Sequence, residues 1–377
     1  MIACQRKKFD IPKEVAYLNT AFTAPLMKSV QKAGSKALLS KVHPWTITAD
    51  TFFRNLEDNR NLFSKLVRCT PDDVAIIPAV SYGIALAAKN IPVKKGQKIV
   101  ILEEQFPSNV LSWRKKAAAN DADLITVRRP DDSDWTTAVL DALDVTTAIV
   151  AIPNCHWTDG TLIDLVAVGR RCREHGAALV VDGTQSLGAM PFSVQDVQPD
   201  FLVTTSHKWL LGPYSFGFAY IAPKWQKGIP LEENWLNRHG SENFAKLVVY
   251  QDSYQPGARR YDAGEASNFG LAPMAAAALM QILDWKVENI AQTLRGKTDR
   301  IATVAGEIGM STASKAFRSP HLIGVKFPGA LPANLSARLA THNVYVSVRG
   351  DSIRISPHLY NTDADIERLF ALIRQWI

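Results

Sequence analysis

The chain has 377 residues, 47% hydrophobic and 21% charged, enough for a large buried core and, as the expected division, one large and one small domain. Its net charge of +7 comes from 43 basic and 36 acidic residues mixed along the chain, which reads as solvated surface with at most a mild attraction for an anionic cofactor or substrate. No nucleic-acid motif accompanies that charge, no run reaches the length of a membrane span, and Cys4, Cys69, Cys155 and Cys172 are too scattered for a disulfide framework or a metal centre, so a soluble, cytoplasmic protein with reduced thiols is expected.

From about residue 74 to 223, apolar runs alternate with helical stretches. "DVAIIPAV" precedes "SYGIALAAKNI", "QKIVILEEQF" precedes "SNVLSWRKKAAA", and "TTAIVAIPN" precedes "IDLVAVGRRCREHG". "AALVVDG", "DFLVTTS" and "SFGFAYIA" follow in close order. Continuous Val/Ile/Leu runs joined by amphipathic helices predict an α/β fold with a mainly parallel sheet covered on both faces, and ligands at the strand tips.

A loop-rich stretch follows, and then "LAPMAAAALMQILDWKVENIAQTL" predicts one long Ala-rich helix over 271–296 joining two domains. The tail changes texture. "HLIGVKF", "NVYVSV" and "SIRISP" read as short strands, with "RGD" as a tight turn between the last two. "NTDADIERLFALIRQWI" closes the chain as a helix, with Thr362 and Asp365 spaced for a capping box. The expected boundaries are a large domain over 20–270 and a small α+β domain over 285–377, joined by the N-terminal segment 1–19.

In "TTSHKWLLGP", Lys208 follows a strand and precedes apolar residues and glycine. Burial there favours the neutral amine, which attacks carbonyls; a lysine snorkelling out of the core is the plain alternative. "LVVDGTQSLG" puts Asp182 at the end of another apolar strand, with Gln185 close behind. A strand-tip carboxylate can simply bind a turn. Beside a Schiff-base lysine it has a sharper use, because pyridoxal phosphate needs an anion opposite its ring nitrogen, and Gln185 can donate to the ring hydroxyl. "IIPAVSYGIALAAKN" offers a phosphate seat: a strand, a turn at Ala79–Val80–Ser81 and a helix opening near Tyr82–Gly83, with Ser81 as a phosphate donor or an N-cap. Thr205 and His207, flanking the lysine, are further phosphate donors.

Together these residues resemble the class V aminotransferase family of fold-type I pyridoxal-phosphate enzymes, which includes cysteine desulfurases, selenocysteine lyase, kynureninase and isopenicillin N epimerase-like proteins. The likeness runs from "YLNTAFTAPL" to "SIRISPHLYNTDADIERL", and is strongest at "VVDGTQSLG" and "TTSHKWLLGP". It implies a seven-stranded-type sheet in a large cofactor-binding domain. It also implies that Lys208 carries the cofactor, Asp182 faces the pyridine nitrogen and Gln185 the ring oxygen. Val80, Ser81, Thr205 and His207 would hold the phosphate. Phe106, in "EEQFPSNVLSW", falls where the family stacks a ring on the cofactor. Arg354, in "SIRIS", matches the arginine that grips a substrate α-carboxylate. "RRYDAGEASNFG" looks like the segment that family dimers lend to the partner's site, so Ser267 and Asn268 would reach the phosphate of the other subunit in a homodimer.

The family's desulfurases place a nucleophilic cysteine on a mobile loop shortly before the carboxylate-binding arginine. Here "VYVSVRGDSIRIS" is short and has none, and Cys155 lies in another segment, where a buried thiol is expected. Trp157 stands about where those enzymes carry asparagine and implies a different substrate face. The expected activity is transamination of an amino-acid-like substrate; elimination and epimerisation use the same residues and remain alternatives. A dinucleotide-binding oxidoreductase lacks its G-x-G-x-x-G after a strand, and a catalytically lapsed binding protein is the remaining alternative.

Overall fold

A computed structural model of the chain describes residues 1–376. The chain opens with β1 (Ala16–Tyr17), α1 (Lys28–Val42) and α2 (Ala49–Val67) before entering a central sheet. That sheet comprises β2 (Val74–Ile77), β3 (Lys98–Leu102), β4 (Asp123–Val127), β5 (Thr147–Pro153), β6 (Ala178–Asp182), β7 (Phe201–Thr205) and β8 (Gly217–Ile221). Helices α3 (Val80–Asn90), α4 (Leu111–Ala119), α5 (Trp135–Ala142), α6 (Leu165–His175) and the short α7 (Val194–Val197) connect its strands. The spatial order is β2-β8-β7-β6-β5-β3-β4. Strands β4, β3, β5, β6 and β7 pair in parallel, and β8 alone runs against its neighbours β7 and β2. The mainly parallel seven-stranded α/β sheet expected from the sequence is the one observed.

The apolar runs are continuous because both faces of the sheet are covered. Along each strand alternate side chains enter different cores. Val100, Val150, Leu179 and Val181 join the core on one face, whereas Ile99, Ile149, Ala178 and Val180 join that on the other. Each fully buried aliphatic side chain contributes roughly 1.5–3 kcal/mol of transfer free energy.

Two helices occupy the region where one was expected over 271–296: α8 (Leu271–Trp285) and α9 (Val287–Glu307). Lys286 parts them with φ 62° and ψ 124°, outside the helical region. A straight run through both would measure about 55 Å at 1.5 Å per residue, and the break instead redirects α9. Its Ile290 and Leu294 then pack in the first core, while Ile301 and Ala305 enter a third. That third core is built from β9 (Ile323–Lys326), α10 (Leu335–Ala340), β10 (Val344–Tyr345), β11 (Ser347–Arg349), β12 (Ser352–Ile355) and α11 (Asp363–Ile373). β1 pairs with β10, which carries Ala16 and Leu18 into the same core. A turn at Gly350–Asp351 joins β11 to β12, and the Thr362–Asp365 capping box starts α11. Among the described residues no helix is long and apolar enough to cross a membrane.

Candidate active site

Parallel strands deliver their C-terminal ends to one edge of the sheet, and that edge holds a cavity of about 290 Å³. Five strands of the sheet contribute residues at or just past their ends. β2 supplies Pro78 to Ser81, β3 supplies Gln105, Phe106 and Ser108, and β5 supplies Cys155 and Trp157. β6 brings Asp182, Thr184 and Gln185; β7 brings Thr205, His207 and Lys208; Tyr214 and Ser215 line the entry to β8. Gln105, Ser108, Thr184, Tyr214, Ser215 and the cavity position of Cys155 were not singled out from the sequence. For Gln105, Ser108, Cys155 and Thr184 the available signal was a position shortly after a strand end; Tyr214 and Ser215 gave none.

Lys208 sits in a tight loop closed by the Gly212 amide donating to the Ser206 carbonyl (2.8 Å) and the Leu211 amide to the Lys208 carbonyl (3.0 Å). The next residue, Trp209, is fully buried and donates its indole N–H to Gln185 Oε1 at 2.9 Å. Gly188 passes so close that a Cβ there would stand 2.5 Å from the Trp209 carbonyl oxygen. The lysine is thereby fixed facing the cavity, with Nζ 5.5 Å from the Phe106 ring centre. Burial pushes its amine down to about 8, helped by the positive charges of Arg354 and Arg349 and opposed by Asp182.

Asp182 ends β6 and is buried. Its Oδ1 accepts the Thr184 amide at 3.0 Å, and among the described residues no lysine, arginine or histidine lies in ion-pair contact with it. Burial raises its pKa, with Thr184 and the Lys208 charge pulling the other way. Gln185 holds the Ala21 carbonyl (3.1 Å) through Nε2, which leaves that amide one further N–H.

Helix α3 starts at Val80, two residues before the opening expected from the sequence. Ala79, in extended conformation, is the N-cap, so Ser81 is a helical residue and not a cap. The Ala79 carbonyl accepts the amides of Tyr82 (3.1 Å) and Gly83 (3.4 Å), closing the first turn early. The preceding amides, those of Val80 and Ser81, have no intrahelical partner and belong to cavity-lining residues. Thr205 Oγ1 and His207 Nδ1 are hydrogen-bonded at 2.5 Å. Burial and the Lys208 charge lower His207 to about 4, so it meets a ligand as a neutral ring.

Phe106 stands at the mouth, 38% exposed, with its edge toward Trp157 at 5.4 Å and 82°. Trp157 donates its indole N–H to the Glu104 carbonyl at 2.6 Å. Arg354 does not itself line the cavity; its Cζ lies 5.9 Å from the Trp157 ring centre and Nη1 donates to the Trp157 carbonyl at 3.0 Å. It is 1% exposed, its Nε has no partner, and burial together with Arg349 lowers it to about 9. Ser267 and Asn268 lie outside this cavity. Asn268 accepts the amides of Gly270 (3.1 Å) and Leu271 (2.9 Å), starting α8, while the buried Ser267 hydroxyl has no partner.

The family model described as Aminotransferase class-V matches residues 16–369. The chain belongs to this family. Among curated relatives, an uncharacterized aminotransferase, YcbU of Bacillus subtilis, is 24% identical over 92% of this chain and 89% of its own length. Isopenicillin N epimerase of Streptomyces clavuligerus is 22% identical over 97% of this chain and 95% of its own. The apo structure of a cysteine desulfurase from Thermococcus onnurineus superposes with a TM-score of 0.86 at 19% identity, covering 100% of this chain and 99% of that one. Class-V aminotransferases are pyridoxal-phosphate enzymes of fold type I, and the cavity fits that cofactor. It offers an amine with a lowered pKa for an aldehyde, a buried carboxyl (in no ion pair among the described residues) for a pyridinium nitrogen, and free helix N–H groups beside exposed Ser81 for a phosphate.

Proposed function

We propose that this protein is an aminotransferase acting on an amino-acid-like substrate as a homodimer. The observation that carries the reading is the meeting of Lys208 and Asp182 in one cavity, a buried amine and a buried carboxyl, both displaced toward their neutral forms. When bound, pyridoxal phosphate withdraws electrons from the Cα of an amine joined to its aldehyde carbon and so acidifies the bonds there. At a pKa of about 8, roughly a tenth of Lys208 is neutral at pH 7, ready to hold the aldehyde between turnovers. Once freed, the same amine would be the group placed to move a proton at the substrate Cα. Asp182 keeps the ring nitrogen protonated by offering it a carboxylate in a water-poor site. Val80, Ser81, Thr205 and His207 would hold the phosphate, Gln185 would donate to the ring oxygen, and Phe106 would pack on the ring. Arg354 orients the substrate through its α-carboxylate, for which a guanidinium fork suits, and Trp157 forms the substrate side.

Cys155 receives no nucleophilic role, because burial pushes its thiol up to about 12 and keeps it protonated. Support for a second copy of the chain comes from exposed apolar residues of α1 and the loop that follows β8, among them Leu38, Leu39, Val42, Val248 and Tyr250. In such a dimer Ser267 and Asn268 would serve the partner's phosphate. Four free thiols fit a reducing, cytoplasmic setting. The test is a screen of amino donors against oxo-acid acceptors with cofactor-loaded protein. Transfer yields a new oxo acid and a new amino acid. Release of ammonia with no amino acid formed, or inversion of the donor alone, would replace the transferase reading by a lyase or an epimerase.

A further inference from the structure

Arg349 and Arg354 emerge from one face of the β11–β12 hairpin. Its register pairs Ser347 with Arg354 and Arg349 with Ser352. Cross-strand partners share a face, as do residues two apart on one strand, so both guanidinium groups point to the same side. They meet the same ring, with Cζ of Arg349 at 5.4 Å and of Arg354 at 5.9 Å from the Trp157 centre. Trp157 in turn lines the cavity that holds Lys208.

A substrate α-carboxylate on Arg354 leaves Arg349 without a partner. Arg349 is half-buried and donates one N–H to its own strand, at the Val348 carbonyl (2.7 Å). Among the described residues no carboxylate lies in ion-pair contact with it, and nearby Asp351 is taken by Lys326 at 2.9 Å. Burial alone lowers its pKa, with no acid opposing. The Asp182 charge acts on Lys208 and on neither arginine, while both arginines are close enough for their charges to act on the Lys208 amine. Covalent use of Lys208 and an α-carboxylate on Arg354 would still leave one cation unmatched beside the indole.

We propose that Arg349 is a specificity-determining residue that binds a second carboxylate, carried on the substrate's side chain, so that the substrates are dicarboxylic amino acids. This rests on the aminotransferase reading. Trp157 supplies the apolar surface for the methylene groups between the two carboxylates, and the two arginines flank it. Five N–H donors on each guanidinium provide for two-point binding at either end.

Unreactive acids test the proposal without turnover. Cofactor-loaded protein is titrated calorimetrically with malonate, succinate, glutarate and adipate, and with butyrate as the single-carboxylate control. At least one diacid is expected to bind tenfold or more tightly than butyrate. Arg349→Gln should abolish that advantage, leave butyrate within twofold and leave the visible band of the bound cofactor unchanged, and Arg349→Lys should restore part of it. A diacid series no tighter than butyrate overturns the proposal. So does an Arg349→Gln variant that weakens butyrate and the diacids equally, which would make the residue a support for Trp157. Cofactor loading is read separately from the visible band: a wild type that never develops one defeats the enzyme reading itself, whereas a normal band with a flat diacid series defeats this inference alone.

Discussion

The loops at the edge of the seven-stranded sheet and the β11–β12 hairpin both place cations beside one cavity, yet burial has different consequences in the two. At the sheet edge it favours neutral forms: Lys208 falls to about 8, His207 to about 4, and Asp182 rises. Lys208 thereby becomes able to attack a carbonyl or exchange protons, while His207 stays uncharged. On the hairpin, Arg354 is more deeply buried and is lowered to about 9, yet it remains charged at neutral pH. One region is suited to covalent and proton-transfer chemistry, the other to holding anions. The choice of lysine in one and arginine in the other follows from that division.

Mutation should separate the two regions cleanly, and the largest effect belongs to the sheet edge. Lys208→Ala is expected to lose the cofactor-linked visible band and to lower turnover by roughly 10³-fold or more, as removal of a general acid–base and covalent anchor does. Absorbance scans and steady-state rates check both. Asp182→Asn should keep the band but slow turnover by about 10²–10³-fold, the scale of a lost electrostatic stabiliser in a water-poor site. An unchanged kcat would remove Asp182 from the chemistry.

The hairpin should behave otherwise. Arg354→Ala should weaken binding of α-carboxylate substrates by about 10–100-fold, the loss of a charged hydrogen-bonded pair, while the visible band stays as in the wild type. Arg354→Lys should recover little of it, because an ammonium lacks the planar fork. A smaller effect links the regions. Capture of pyridoxal phosphate by apo-protein needs neutral Lys208, so its rate should climb with pH through a midpoint near 8. Removing the positive charge of Arg354 or Arg349 makes protonation of Lys208 easier, so Arg354→Met and Arg349→Gln should both move that midpoint upward. Stopped-flow capture rates across pH 6–10 give the comparison, and a midpoint unmoved in both variants would mean the hairpin charges do not reach the amine.

Much of the sheet edge was legible in the sequence because its strands are continuous apolar runs that end in polar residues. Asp182 and Lys208 both stand where such a run stops, and the structure brings them to one cavity. The start of α3 was misplaced because the sequence gives no strong cap there; an extended Ala79 does the work that a serine was expected to do. The break at Lys286 was hidden for a related reason, since lysine is an ordinary helix former and nothing in the sequence marks its positive φ. Arg349 was read as part of a turn, although only Gly350 and Asp351 make it, and its position opposite Ser352 depends on a register that sequence alone does not give. Tyr214, which rests against His207 with ring centres 4.5 Å apart, follows no strand and carries no motif, so only the closing of the loop onto β8 reveals it.

Borohydride reduction of the cofactor-loaded protein, followed by peptide mass spectrometry, tests the central claim most directly. Reduction fixes the cofactor to whichever amine holds it. The account predicts a pyridoxyl phosphate adduct on the peptide carrying Lys208 and on no other lysine. An adduct elsewhere, or none from protein that shows the visible band, would contradict it.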